Sequence, residues 1–388
     1  MKAIIGPQKM RALRLLSLAY FIQATGALSI VGALTSVAKE WSLNNTQSAY
    51  LIAVFGITFA VMAPFFQMVI GHIKRRSQLL TGLSIFFLGS LVFSLSTNYP
   101  TLLFSRFIMG LGAALMGPVL VALGADMVEG KHQGSAIATV LLGLSLSNLI
   151  GIPISSWIAY HLGPRTLFLS ISALTFIAAV MTLLWVPQGN NGQRIKGKDI
   201  LQMLGHLHSL SSLLVVFFLA TGVFTTYSFI EPIIHIQYGG SNNDVSTALT
   251  ILGIAGLIGN FFVVRAAAKM TSTSLLLIGI GLLIIDLILL MIIPSKLYFL
   301  YFTLIIWAFA TDILWPTQQR RVVELNPVMR GIALALTASF LFCGISLGST
   351  LAGWIFPALG YAGLLVVSIA SLLLAVLCIK LSSASDEK

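Results

Sequence analysis

The chain has 388 residues, of which 57% are apolar and 9% are charged, and its net charge is +11. Water-soluble domains carry about a quarter charged residues, so this composition excludes a soluble fold and predicts a protein whose solvent is the bilayer. Because the basic residues flank the apolar segments, the net charge indicates contact with anionic lipid headgroups and excludes nucleic-acid binding.

The apolar segments are long enough for twelve transmembrane helices. The first six windows are 14–37, 48–71, 78–97, 101–125, 133–159 and 166–187. The second six are 212–237, 246–268, 273–293, 297–319, 329–356 and 361–381. The polar stretch 188–211 predicts a cytoplasmic linker with a short amphipathic helix on the membrane surface. We therefore expect an all-α membrane protein with an N-terminal half, 1–187, and a C-terminal half, 212–388.

The basic residues predict the orientation of these helices. If the N-terminus is cytoplasmic, all Lys and Arg residues except Lys39, Arg106, Arg165 and Lys296 lie on the cytoplasmic side or close to it. This is the distribution that the positive-inside rule requires. Both termini are then cytoplasmic, and the number of crossings is even.

An internal repeat relates the two halves. A shift of 197 residues pairs Gly134 with Gly331, Gly151 with Gly348, and Trp157 with Trp354. The repeat lies in spans five and eleven, so it predicts two parallel six-helix units related by an axis along the membrane normal. Small residues four apart occur at the equivalent positions of both spans, which permits close helix packing. They are interpreted either as static packing or as a seam that rocks during transport.

Three motifs fall within the predicted spans. They are Tyr227 to Pro232 (YSFIEP), Ser105 to Gly110 (SRFIMG) and Gly143 to Pro153, the last followed by Gly-Pro-Arg at 163–165. Together they resemble the major facilitator superfamily, and more narrowly its drug–proton antiporter branch, which includes bacterial arabinose and sugar efflux proteins. The resemblance runs from Leu16 to Leu381. It implies two pseudo-symmetric halves, proton-coupled efflux and a monomer in the bacterial inner membrane.

Two positions depart from the pattern of that family. The loop after span two reads Gln67 and Gly71 where the family has a glycine and then an aspartate. Ala27 stands where sugar-efflux relatives often place an acid in span one. The proton-coupling residues that the resemblance implies are therefore incomplete in this chain.

Four ionisable residues within the spans are the candidates for proton coupling, because a charge at mid-bilayer costs about 2.5–3.5 kcal/mol and is usually functional. They are Glu231, Asp312, Arg106 and Asp286. Glu231 precedes a proline and either carries a proton or braces a bend. Asp286 either takes part in transport or forms an interhelical hydrogen bond. The resemblance implies that span ten, which carries Asp312, borders the cavity. Arg106 either binds backbone carbonyls or acts on a carboxylate or an anionic substrate.

Polar and aromatic residues of spans one, five and seven are candidates for lining a substrate cavity, with lipid-facing or packing roles as the alternative. They are Gln23, Thr25, Asn148, Phe224, Tyr227 and Phe229. Small residues of spans five and eleven and charges near the span ends are candidates for conformational gating, with solvated loop charge as the alternative for the latter. They are Gly151, Pro153, Gly344, Gly348, Arg75, Arg76, Asp126, Arg165, Arg320 and Arg321.

These features predict a secondary active transporter that exports a small organic molecule, either a drug-like compound (multidrug efflux) or a sugar, by proton antiport. The expected partners are that substrate, protons and membrane lipids. An uptake carrier of the same fold and a non-transporting membrane sensor are the alternatives. The sequence has no nucleotide-binding loop, metal-ligand cluster or catalytic triad pattern, so we expect neither an enzyme nor a cofactor.

Overall fold

The computed structural model describes residues 6–128, 132–188, 191–192, 194–266, 269–326 and 329–383. Three of the basic residues used to predict the orientation, Lys2, Lys131 and Lys388, lie outside these ranges. The first helices are α1 (Pro7–Leu28), α2 (Leu34–Glu40), α3 (Asn45–Val69), α4 (Arg75–Leu95), α5 (Tyr99–Asp126), α6 (Gln133–Leu146), α7 (Ile152–His161) and α8 (Pro164–Trp185). The remaining helices are α9 (Gly197–Gly205), α10 (Leu207–Tyr227), α11 (Ile230–Gln237), α12 (Asn242–Ala266), α13 (Ser272–Ile292), α14 (Leu297–Leu325) and α15 (Arg330–Ser383).

Ten helical segments in the described part of the chain are long and apolar enough to cross a membrane. Two of them continue across an irregular turn, α6 into α7 and α10 into α11. The 54-residue α15 contains two spans, because Gly360 has a φ of 63° and interrupts the helix just after Pro357. With α1, the described residues hold the twelve predicted spans, and the all-α prediction is confirmed.

The described residues fall into two compact units. Unit 1 contains the residues up to Leu43 and Ile57–Ile195, and unit 2 contains Asn44–Gly56 and the residues from Lys196 onward. The amphipathic helix expected in the linker is α9, and its apolar face packs within unit 2, where Met203 joins a core cluster with Leu213 and Val322. The boundaries predicted for the two halves and the linker stay a prediction.

Helix α1 packs closely against span five in unit 1. A β-carbon at Gly143 would overlap the carbonyl oxygen of Ser17, and one at Gly151 would overlap the hydroxyl of Thr25. The hydroxyl of Thr25 also donates to that of Ser147 over 3.0 Å. At this contact the helix widens into a π-helical turn, Ser147–Gly151. Spans one and five therefore pack with their backbones almost in contact.

The equivalent helices make the same kind of contact in unit 2. A β-carbon at Gly344 would overlap the carbonyl oxygen of Phe217, and one at Gly348 would lie 2.6 Å from that of Thr221. These glycines align with Ser147 and Gly151 in the internal repeat. The same pair of helices, span one on span five and span seven on span eleven, thus forms a close contact in each unit.

Alanine at Gly143 or Gly344 is expected to lower the free energy of unfolding by about 1–3 kcal/mol, because the added methyl group overlaps backbone atoms that cannot move independently. Gly134 and Gly331 provide matched controls, since a β-carbon there meets nothing within 4 Å. Alanine at these controls should be neutral or slightly stabilising, because it favours helix more than glycine does. Thermal unfolding in detergent measures the difference, and equal melting temperatures for all four variants would contradict the packing argument.

Candidate functional site

Arg106 of α5 is fully buried and holds the end of α1. Its Nη1 donates to the carbonyl oxygen of Gly26, and its Nη2 donates to that of Ala27, each over 2.9 Å. These carbonyls belong to the last turn of α1, where backbone acceptors lose their intrahelical donors. A cation at a helix C-terminus is also favoured by the helix dipole. Of the two roles considered for Arg106, the geometry supports the binding of backbone carbonyls.

Two polar candidates of span one are buried inside unit 1. The Nε2 of Gln23 donates to the carbonyl oxygen of Ala113 over 3.3 Å, and Thr25 bonds to Ser147. Both side chains therefore connect α1 to neighbouring helices. Asn148 lies in the π-helical turn and is exposed, whereas Pro153 is buried in the first turn of α7.

Span seven is interrupted in the middle of the YSFIEP motif. Helix α10 ends at Tyr227 and α11 begins at Ile230. The bend was expected at Pro232, but the break comes earlier, and the proline lies in the first turn of α11. Its missing amide hydrogen costs little there, because the first amides of a helix have no intrahelical acceptor. The break places Glu231 at the start of a new helix.

Glu231 is almost completely buried, at 2% relative exposure. Its Oε1 lies 4.0 Å from the Nε2 of His235, one helical turn later. The other ring nitrogen of His235, Nδ1, lies 2.8 Å from the carbonyl oxygen of Gly240. The glutamate therefore sits beside a second titratable group whose ring is held in place by the backbone.

The aromatic residues of span seven surround the same break. Phe224 and Tyr227 pack edge to face with ring centroids 5.5 Å apart. Phe229 is fully buried and packs on Phe356. A small cavity next to the break has room for about one water molecule, and its mostly apolar wall includes the side chains of Tyr227 and Tyr361.

Asp312 of α14 is seated against a glycine-rich face of α12. Its Oδ1 accepts a hydrogen bond of 3.0 Å from the Nδ2 of Asn260. A β-carbon at Gly256 would overlap the carboxylate, and one at Gly259 would meet the backbone of α14. Asp312 therefore forms an interhelical hydrogen bond with α12. The sequence signal that would have located it is the spacing of Gly256, Gly259 and Asn260, which places all three on one helix face.

Asp286 of α13 is fully buried among leucines. It shares the inward face of its helix with Leu283, Leu287 and Leu290. Neither carboxylate oxygen has a hydrogen-bond partner within the described residues. The interhelical hydrogen bond considered for Asp286 is therefore not found among those residues.

The charged gating candidates of unit 1 bind partners within that unit. At one end, Arg75 forms an ion pair with Asp126, and Arg76 donates to the carbonyl oxygen of Leu183. Elsewhere in unit 1, Arg165 pairs with Glu40 over 2.7 Å and donates to the carbonyl oxygen of Ser94. Its guanidinium also lies over the ring of Trp41.

The gating candidates of unit 2 lie at the end of α14. Arg320 pairs with Glu324 over 2.6 Å, and Glu324 accepts a hydrogen bond from Ser272. Arg321 is buried and donates to the hydroxyl of Ser382 over 2.7 Å. The observed contacts of these charges join helices inside one unit, and their role in gating stays a prediction.

The chain is similar to known membrane transport proteins over most of its length. A family model described as Major Facilitator Superfamily matches residues 16–294 and 212–388. The chain is 26% identical to the uncharacterized MFS-type transporter YbcL of Bacillus subtilis (strain 168), over 93% of this chain and 94% of that protein. It is 27% identical to the inner membrane transport protein YdhP of Escherichia coli (strain K12), over 92% and 93%.

Solved structures show the same fold. A bacterial homolog to the human lysosomal transporter Spinster, in an inward-facing and unoccupied conformation, superimposes with a TM-score of 0.73. Its sequence is 17% identical, and the match covers 97% of this chain and 96% of that one. The occupied form of that protein gives a TM-score of 0.72. The predicted fold, twelve helices in two pseudo-symmetric halves, is confirmed. This chain belongs to the Major Facilitator Superfamily.

Proposed function

We propose that this transporter exports a small organic molecule, a drug-like compound or a sugar, in exchange for protons by alternating access of its two halves. The observation that carries the proposal is the placement of Glu231. It is a nearly fully buried carboxyl group at the break in span seven, where a change of conformation can expose it to water. The other mid-span acids of the described residues, Asp286 and Asp312, lie in the same unit.

The energetics of a buried carboxylate explain how Glu231 would couple the two fluxes. An ionised side chain in the membrane interior is costly, so the occluded protein favours the protonated form, whereas contact with water favours the ionised form. A proton taken from the outside would accompany release of substrate to the outside. The proton would leave toward the cytoplasm as the next substrate binds. His235, 4.0 Å away, can share the proton during this exchange.

The aromatic side chains of span seven favour an amphipathic substrate. Tyr227 lines the small cavity at the break in span seven. Aromatic surface with few polar groups is typical of sites for apolar or amphipathic molecules.

The proposed location is the bacterial inner membrane, with both termini cytoplasmic and the chain acting as a monomer. The distribution of Lys and Arg supports this orientation. The name of the Escherichia coli relative, an inner membrane transport protein, supports the location.

Reconstitution into proteoliposomes tests the proposal, with ethidium and L-arabinose as probes. An imposed pH gradient should drive at least one probe against its own gradient, and an ionophore that collapses the pH gradient should abolish the effect. Flux that is unchanged by the ionophore would reject proton coupling. In whole cells, accumulation of the probe in place of its depletion would favour the uptake carrier, and absence of any flux would favour the membrane sensor.

A further inference from the structure

Asp286 is a buried acidic residue of unit 2 to which the proposed function assigns no role. Its carboxyl group is fully buried, and neither oxygen finds a hydrogen-bond donor among the described residues. Burying an unpaired carboxylate is so unfavourable that such a group stays neutral by holding a proton. Asp286 in the observed conformation therefore has the surroundings of a proton-binding site.

Two tyrosines lie near the part of α13 that carries Asp286. The hydroxyls of Tyr238 and Tyr361 lie 3.3 Å apart. Tyr361 also lines the small cavity beside Tyr227, as does Leu290, one turn after Asp286 on α13.

The other titratable groups near α13 are engaged elsewhere. Tyr301 of α14, which packs on α13, donates to Asp244 over 2.7 Å. At the opposite end of α13, Glu324 accepts a hydrogen bond from Ser272 and Arg321 donates to Thr273. Arg320 donates to the carbonyl oxygen of Met270, just before α13 begins. The tyrosine pair lies beside the cavity that Leu290 of α13 also lines, and it is the candidate for exchanging a proton with Asp286.

The surroundings favour a proton over a metal cation. Hard cations require about six oxygen ligands, and the inward face of α13 around Asp286 offers leucine side chains. No cluster of three or more His, Cys, Asp or Glu side chains was found in the described ranges.

We propose that Asp286 binds a second proton, distinct from the one carried by Glu231, and exchanges it through the hydroxyls of Tyr361 and Tyr238. Tyr361 does not bond to the carboxylate in the observed conformation, so the exchange requires a movement that brings the two side chains together. Tyr361 then donates its hydroxyl proton to the carboxylate and receives one from Tyr238, which is reprotonated from water, so neither tyrosine keeps a charge. The inference rests on the proposed function in one respect, since it assigns two protons to each transport cycle.

Infrared difference spectroscopy of the protein reconstituted in lipid tests the site without any substrate. The spectrum at neutral pH should contain the C=O band of an un-ionised carboxylic acid. Glu231 also contributes to this band when it is protonated, so Asp286→Asn should remove part of the band intensity, whereas Asp199→Asn, at a carboxylate of the linker helix α9, should leave the intensity unchanged. A band of equal intensity in Asp286→Asn and in the unsubstituted protein, or the absence of the band from the unsubstituted protein, would overturn the proposal. Tyr361→Phe supplies a second variant, in which the band should persist but exchange more slowly after a pH jump; an unchanged rate would remove the tyrosines from the route.

The stoichiometry is tested with ethidium in proteoliposomes. With two protons per cycle, a proton gradient of about tenfold supports a solute gradient of about 100-fold, and Asp286→Asn should reduce it to about tenfold. If Asp286→Asn still sustains a solute gradient of about 100-fold, the proposal that Asp286 binds a second proton is overturned. If the unsubstituted protein shows no coupling, the proposed function fails, but the infrared band still decides whether Asp286 holds a proton.

Discussion

Replacing Arg106 with alanine is expected to lower the free energy of unfolding by about 2–4 kcal/mol and to abolish transport. The substitution leaves the carbonyls of Gly26 and Ala27 buried without their donors. A hydrogen bond to a charged group contributes about 1.5–3 kcal/mol, although interhelical hydrogen bonds in membrane proteins average only about 0.6 kcal/mol. The larger values apply here because carbonyls at a helix end cannot find another partner in the same helix. Thermal unfolding and transport in proteoliposomes measure the two effects.

A lysine at this position separates charge from geometry. Lysine keeps the positive charge but lacks the planar fork that bonds two adjacent carbonyls, so Arg106→Lys should lose about half of the stability that Arg106→Ala loses. Arg14→Ala is the matched control, because Arg14 is an exposed basic residue of α1 itself, and surface substitutions change stability by less than about 0.5 kcal/mol. A melting temperature of Arg106→Ala equal to that of the control would contradict the role of Arg106 at the end of α1.

Glu231→Gln is expected to uncouple transport from the proton gradient. Glutamine has nearly the same shape and hydrogen-bonding capacity as a protonated glutamate, but it cannot release a proton. Under a proton gradient of about tenfold, the unsubstituted protein should sustain a probe gradient of at least about tenfold, whereas the variant should let the probe equilibrate to equal concentrations. Ethidium flux in proteoliposomes, with and without an imposed pH gradient, measures the difference.

Asp199→Asn is the matched control for this experiment, since it removes a carboxylate of unit 2 that lies outside the spans. In this control, probe transport should be coupled to the proton gradient to the same extent as in the unsubstituted protein. Exchange of labelled for unlabelled probe should persist in Glu231→Gln, which would show that the variant is folded and still changes conformation. Gradient-driven accumulation by Glu231→Gln would exclude Glu231 as the coupling residue and leave Asp312 as the next candidate.

Most of the fold follows from the sequence because a bilayer imposes a simple length rule. The window 273–293 differs by one residue at each end from α13 (Ser272–Ile292). The internal repeat also identified the small residues at which spans five and eleven meet their neighbours. Apolar length and small-residue spacing are local properties, so one sequence suffices to find them.

The errors arise where a distant residue determines the local structure. Span one was predicted to run to residue 37, but α1 ends at Leu28, where Arg106 of another helix takes up its last carbonyls. Nothing in the sequence around residue 28 indicates that contact. The bend in span seven was assigned to Pro232, although the helix breaks at Ser228 and Phe229, and Ser228 bonds to the hydroxyl of Ser349 over 2.7 Å.

The sequence also does not indicate which groups contact the buried acidic residues. The sequence identified Asp286 and Asp312 as unusual but could not show that one lies among leucines while the other meets Asn260. That difference depends on which helix faces which, and hydropathy carries no information about helix rotation within a bundle.

The joint made by Arg106 has an evolutionary consequence. Its acceptors are main-chain oxygens, which every amino acid supplies, so the bond to residue 27 does not constrain the side chain there. A lineage can therefore gain or lose an acidic residue at position 27 while the anchoring of the first helix is retained. A protein of this fold with a carboxylate at position 27 and this protein with Ala27 would therefore differ in ion chemistry and not in how the first helix is anchored.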